Sequence, residues 1–338
     1  MSFLYSRKNL SGLLALVVLA GCQSIKTRED IRKGPQQPST RPSVSQTQTT
    51  QPTYPYQTQR PSEPVFEKPI EAPMPPPPPA PVIPAMPKIG LILGGGGAKT
   101  YAHIGFLHEL SRAKVPVYAI GGIEFASPMA ALYAHREQAN DVEWQMFKLK
   151  DDEVIKKSLL GNVNKNNDVS VLREFYSTAF NRVKAEDMKV PFACPSYNLK
   201  KNQVFLMNRG GMDQVLSTCM AYPPFFKPYQ GNISAIRDVT ATAQYLRQKG
   251  ANYIVFVNVL QPPGGAKAYT MDASATDNVL WSEIAGSYNK PLPGVDTVVS
   301  LDTSDYGIMD FEKRREIMNK GADSAAKQLK TLTRKWGL

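Results

Sequence analysis

An α/β domain opening near residue 88 is the fold class this sequence predicts. Two observations carry it. The run from Lys88 to Leu110, KIGLILGGGGAKTYAHIGFLHEL, reads as a short apolar strand, a turn of four glycines and an amphipathic helix. The run from Val115 to Ala134 repeats the plan, with a strand to Ile120, the pair Gly121-Gly122 and a helix from Met129. Strand–turn–helix units in succession are the signature of a helix-covered sheet.

The segment ahead of this domain has another composition. Residues 1–21 read as a secretory signal: Arg7 and Lys8 give the positive start, and Leu13–Ala20 is an apolar stretch too short for a comfortable membrane span. It ends in Leu19-Ala-Gly-Cys22, which resembles the bacterial lipobox, so Cys22 is the expected lipidation site. Gln23 after the cysteine implies, for a Gram-negative source, sorting to the outer membrane on its periplasmic side. Residues 22–87 hold 17 of the 28 prolines, with many Gln, Thr and Ser and no hydrophobic period. Such a stretch cannot bury enough surface to fold and is expected to be a disordered linker. Its reach is about 45 Å if flexible and about 200 Å if fully extended polyproline. Residues 88–338 remain for the folded domain, ample for one core.

Net charge is +11, of which the first 87 residues supply +4. A basic balance favours anionic surfaces. No aromatic-plus-basic stripe points to nucleic acid, so none is expected as a partner. The three cysteines form no C-x-x-C pair, and the three histidines are scattered, so no metal is expected. Cys194 and Cys219 read as buried thiols, with a bridge conceivable in an oxidising compartment.

The two glycine turns carry the chemistry. Gly94, Gly95, Gly96 and Gly97 at a strand–helix junction expose backbone N–H groups to whatever lies against them. The second turn, Gly122-Ile123-Glu124-Phe125-Ala126, stands where many α/β hydrolases carry G-x-S-x-G with a nucleophilic serine at its apex. Together the segments resemble the patatin-like phospholipase family. The family's G-G-G-x-[KR]-G loop is matched by Gly95-Gly96-Gly97-Ala98-Lys99-Thr100, and Ala102–Leu107 continues the match. The serine elbow aligns without a gap, with Glu124 at the serine's place. The family's D-G-[GA] motif is matched by Gln230-Gly231-Asn232, after the proline- and aromatic-rich Tyr222–Gln230. Leu246–Val259 and Ser304–Leu329 resemble a later core strand and the last helix.

The resemblance implies a three-layer α/β/α patatin-like domain with a mainly parallel central sheet, no cofactor, and an oxyanion loop of Gly94–Gly97 with Lys99. It also implies a serine–aspartate dyad, and both members are missing: Glu124 and Gln230 replace them. No acid occurs between Asp213 and Asp238 to take the base's place. Loss of such a nucleophile costs on the order of 10⁶ in turnover. Glu124 is expected to occupy the oxyanion site or to pair with Lys99. Ser127 is expected as an N-cap before Pro128. His103 is expected to pack or hydrogen-bond near the loop, and Met220–Gln230 to line the old substrate cleft. The basic residues Lys313 to Arg315, Lys327, Lys330, Arg334 and Lys335 read as a solvated helix face.

The expected function is a catalytically inactive lipoprotein of the cell envelope. It would be held to the membrane by Cys22 and would bind a lipid or protein partner through the relic cleft or the surface. The alternatives are a lipid acyl hydrolase working through Glu124, and a self-associating envelope scaffold.

Overall fold

The computed structural model describes residues 87–157, 163–164, 167–260 and 275–336. The signal stretch, Cys22 and the linker up to residue 86 lie outside the described residues. Residues 78–338 form one compact unit, and the apolar core of the described residues lies within it, so the unit has what a domain needs to fold alone.

In chain order, β1 (Ile89–Leu93) leads through the glycine turn into α1 (Ala102–Arg112), and β2 (Val117–Gly122) leads through the elbow into α2 (Ser127–Arg136). Then come α3 (Ala139–Met146), α4 (Asp151–Val154) and a two-stranded piece, β3 (Lys156–Lys157) with β4 (Val163–Asn164). Next are α5 (Arg173–Phe180), β5 (Phe192–Asn198), β6 (Gln203–Met207), α6 (Met212–Met220) and β7 (Asn232–Ser234). The chain continues with α7 (Val239–Gln248), β8 (Tyr253–Asn258), α8 (Ala275–Ser287), β9 (Thr297–Ser300) and α9 (Arg314–Trp336).

Seven strands form one sheet in the order β6-β5-β2-β1-β8-β9, with β7 also paired to β5. The pairs β5–β2, β2–β1, β1–β8 and β8–β9 are parallel; β5–β6 and β5–β7 are antiparallel. The expected mainly parallel α/β sheet is therefore present. Its central strands, IGLIL and YIVFVN, are continuous apolar runs because both faces are covered. Successive residues of β2 show the two faces. A Cβ on Gly121 would strike Thr242 of α7, while one on Gly122 would strike Ala130 of α2 at 2.8 Å. Helices α1, α3 and α9 pack with α2 on its side. The α1–α9 contact is close enough to require glycine: a Cβ on Gly105 would meet Ala322 N at 2.6 Å, and one on Gly321 would meet Ala102 Cα at 2.6 Å.

One feature of the sheet positions the site. β2 pairs with β5 only at Phe192 and Ala193, and β7 pairs with β5 at Ser196 to Asn198. Since β6 holds the other flank of β5, β2 and β7 lie end to end along one flank. The tip of β7 at Ser234 thus meets the turn that ends β2.

Cys194 of β5 and Cys219 of α6 are joined by a disulfide, with Cα atoms 6.0 Å apart. This corrects the expectation of two buried thiols. Spacing could not reveal the pair, because a strand and a helix 25 residues apart meet only in the fold. Among the described residues no helix is long and apolar enough to cross a membrane.

Candidate functional site: an elbow whose carboxylate fills the glycine loop

The turn after β2 is tight. A Cβ on Gly122 would lie 2.6 Å from Ala126 O and from Ser127 Cα. Ile123 N–H donates to Leu93 O, which ties the turn to the end of β1. At the apex Glu124 takes φ 53°, a left-handed conformation that non-glycine residues rarely adopt. Such a conformation persists only where its surroundings fix it, and it is typical of active-site turns. Pro128 enters α2 in the first turn, where its missing N–H costs nothing. Ser127 is not the expected N-cap. It is fully buried, and its Oγ donates back to Gly122 O at 3.0 Å.

The glycine loop and the elbow face each other. Gly96 N–H and Gly97 N–H both donate to Glu124 Oε2 at 3.0 Å. Gly97 sits at φ 54°, which turns its amide inward. Two amides converging on one oxygen form an anion hole, and hydrogen bonds to a carboxylate are the stronger kind. Here the hole is filled from within. A Cβ on Gly95 would lie 2.9 Å from Glu124 Cβ, so only glycine lets the side chain pass. Glu124 is fully buried, and its Oε1 has no hydrogen-bond partner. Burial lifts its pKa from 4.5 to about 7; the N–H groups of Phe125, Gly97 and Gly96 hold it from rising further.

Of the two partners expected for Glu124, the loop amides hold the carboxylate. Lys99 Nζ, also buried, donates to Thr303 O at 3.1 Å. Burial lowers the Lys99 pKa to about 8, against the pull of Asp310, Asp302 and Asp305. His103 supports the loop from below, with Nε2 2.7 Å from Gly94 O. A carbonyl can only accept, so Nε2 carries the proton. Burial brings the His103 pKa down to about 4, so the ring is neutral at physiological pH.

The base position is where the structure departs most from the sequence reading. Gln230 is exposed at φ 48°, in the turn that Tyr229 and Asn232 close with mutual backbone bonds. It lines a polar cavity of about 360 Å³ with Asp168, Arg173 and Lys227. The residue this segment brings to the elbow is Ser234. Its Oγ, buried, accepts the Glu124 backbone N–H at 3.1 Å. Gly231 drew the motif to Gln230. A residue facing the elbow ends β7 rather than beginning its turn, and only the pairing of β7 with β5 shows which residue that is.

Aromatic rings close the space around the elbow. Phe125 packs on Phe311 and Phe225, with ring centres 4.9 and 6.3 Å apart, and Trp281 lies against Phe225 and Tyr222 at 6.1 and 5.8 Å. The Tyr288 hydroxyl donates to Ile236 O. Tyr222 and Phe225 come from the expected cleft segment and are buried. Beside Ser234 an open groove of about 600 Å³ remains, lined by Tyr197, Val204, Tyr222, Ile233, Ile236 and Arg237. Arg237 is held at its rim by Glu283 at 2.7 Å.

Part of this chain is similar to known proteins. Residues 91–247 match the family Patatin-like phospholipase. Lysophospholipase NTE1 of Cryptococcus neoformans var. neoformans serotype D is 26% identical over 186 residues, which cover 51% of this chain and 11% of that protein. Neuropathy target esterase sws of Drosophila melanogaster is 25% identical over 188 residues, covering 51% of this chain and 13% of that protein. The shared part is thus little more than a tenth of these curated relatives. The crystal structure of VipD from Legionella pneumophila superposes with a TM-score of 0.43 at 11% identity, over 72% of this chain and 67% of that one. The part of this chain that matches the patatin-like phospholipase family, residues 91–247, holds the glycine loop, the elbow and Ser234.

Proposed function

We propose that the protein is a catalytically silent patatin-like domain that binds an acyl lipid at the cell envelope. The observation that carries this reading is the Glu124 carboxylate bonded to both Gly96 N and Gly97 N. A substrate carbonyl oxygen would need those amides, and the Glu124 carboxyl oxygen already fills them. No hydroxyl stands at the apex, and the group that meets it, Ser234, is not a base at neutral pH. The apolar groove beside Ser234, with Arg237 at its rim, fits an acyl chain with an anionic head. The names of the relatives, a lysophospholipase and an esterase, support the same ligand class.

The envelope location rests on the lipobox-like Leu19–Cys22 and on the basic N-terminal start. The Cys194–Cys219 disulfide supports it, since such bonds persist outside the reducing cytosol. The Cys22 anchor would hold the chain to the membrane.

The deciding experiment incubates the protein with a short-chain ester and with lysophosphatidylcholine, and measures fluorescent fatty acid binding in parallel. Turnover no faster than buffer, with saturable binding weakened by Ile236→Arg, is the expected result. A second reading, hydrolysis through Glu124, draws on its near-neutral pKa, suited to proton transfer. Turnover that Glu124→Ala abolishes would establish that reading instead.

A further inference from the structure

The elbow lies at the C-terminal ends of β1 and β2. The opposite edge of the sheet, where the parallel strands begin, carries a different surface. Lys88 stands just before β1, and Ile89 is level with Val117 of β2 and Tyr253 of β8. Lys88 O accepts the N–H groups of Asn252 and Tyr253, which fixes this corner. Tyr118, exposed, lies under Lys88 Nζ at 5.0 Å from its ring centre, and its ring edge is within 3.2 Å of a Cβ placed on Gly250. Lys249 precedes that glycine and stands 5.4 Å over the Tyr245 ring. The end of α9 arrives at the same corner: Lys335 Nζ is 5.5 Å over the Tyr253 ring, and Trp336 packs edge-on against it at 5.7 Å.

Lys88, Lys249 and Lys335 are all exposed, and among the described residues none of the three forms an ion pair. Lys114, in the turn before β2, and Arg334 are exposed nearby in the fold. Asp296, an acid at this edge, is engaged by Arg247 at 2.6 Å. Cations that ride over tyrosine rings, with one ring exposed among them, make a surface that is positive and amphipathic at once. That combination suits the headgroup layer of an anionic bilayer, where tyrosine settles at the interface and lysine meets phosphate. The chain outside the described structure also points here. The chain ahead of the described residues enters at this corner, through Pro87 and Lys88.

We infer that the edge formed by Lys88, Tyr118, Lys249, Tyr253 and Lys335 is a docking surface for anionic phospholipid bilayers, acting independently of any lipid at Cys22. Docked this way, the domain turns its elbow and groove away from the bilayer it rests on.

The test uses residues 78–338, the compact unit, which lacks Cys22. Co-sedimentation is measured with vesicles of phosphatidylglycerol and phosphatidylethanolamine, and with phosphatidylcholine alone. The expected result is binding to the first and not the second, weakened at least about tenfold by raising salt from 0.05 to 0.5 M. The triple variant Lys88→Glu, Lys249→Glu, Lys335→Glu should lose about a hundredfold in vesicle partition. The control Lys150→Glu, Lys200→Glu, Lys201→Glu changes the net charge equally and should lose less than about threefold. Should the first triple lose its cooperative melt, the Gln triple at the same positions replaces it, with a loss of at least about tenfold expected. Equal losses in both sets, or equal binding to both vesicle types, would overturn the assignment.

Discussion

Glu124 Oε2 accepts the N–H of Gly97 at 3.0 Å, across the gap between two strand–helix units. Each partner has a left-handed backbone, Glu124 at φ 53° and Gly97 at φ 54°. The Glu124 conformation, unfavourable for a residue with a side chain, is thus held by a hydrogen bond to a glycine that adopts its own φ without steric cost. The elbow keeps the geometry of a nucleophile turn and uses it to aim a carboxylate.

Stability should depend on pH through this carboxyl. Its folded pKa of about 7 lies above its ordinary 4.5, so the folded state holds a proton that the unfolded state has lost between those values. The contribution is complete below pH 4.5 and is lost as pH rises through 7, a total of about 3 kcal/mol. His103 acts in the other direction. Its folded pKa of about 4 is below its ordinary 6.5, so its contribution is present above 6.5 and lost as pH falls toward 4. Subtracting the urea-unfolding profile of Glu124→Gln from that of wild type isolates the carboxyl. The difference should fall by about 3 kcal/mol from pH 4.5 to 7.5, and a flat difference would contradict the raised pKa.

Ser234 and Gln230 should respond differently to truncation. Ser234→Ala removes the acceptor of a buried N–H and should destabilise by about 1–2 kcal/mol. Gln230→Ala, on an exposed turn, should stay within about 0.5 kcal/mol. Thermal and denaturant melts of the two variants check this.

Rebuilding a dyad tests the geometry directly. Glu124→Ser with Ser234→Asp places a hydroxyl at the apex and an acid at the contacting position. It should hydrolyse a short-chain ester at least about a hundredfold faster than Glu124→Ser with Gln230→Asp, the typical worth of a positioned base. Equal rates in the two double variants would show that Ser234 is not the base position.

The disulfide closes a span of 25 residues between β5 and α6. Cys194→Ser with Cys219→Ser should cost about 3 kcal/mol by unfolded-state entropy. Dithiothreitol should bring wild type down to the level of the variant, and thiol titration should find no free sulfhydryl at either position before reduction.

The close packing of α1 on α9 should tolerate no added methyl. Gly105→Ala or Gly321→Ala should each destabilise by about 1–3 kcal/mol, despite the better helix propensity of alanine.

Much of this architecture was legible in local pattern. The runs before Gly94 and Gly121 are short, apolar and glycine-punctuated, and both become parallel strands feeding helices. Glu124 at the apex could be read from spacing alone, because an elbow is a local structure. What depended on long-range pairing was not legible. The disulfide requires knowing that α6 packs under β5. The place of Ser234 requires the register of β7 on β5, which no local period states in a strand of three residues. The role of Lys99 was equally hidden, since its acceptor at Thr303 is 204 residues away.

The end-to-end placement of β2 and β7 along β5 has a consequence for how this site can change. Ser234 is set opposite Glu124 by ladder bonds to Ser196, and not by the length of the turn at Tyr229–Asn232. Residues added to that turn would bulge into solvent and leave the contact untouched. A single residue removed between Asn232 and Ser234 would swing the next side chain to the other side of the sheet and strip the apex of its neighbour. The loop is free to vary in length; the three-residue strand behind it is not.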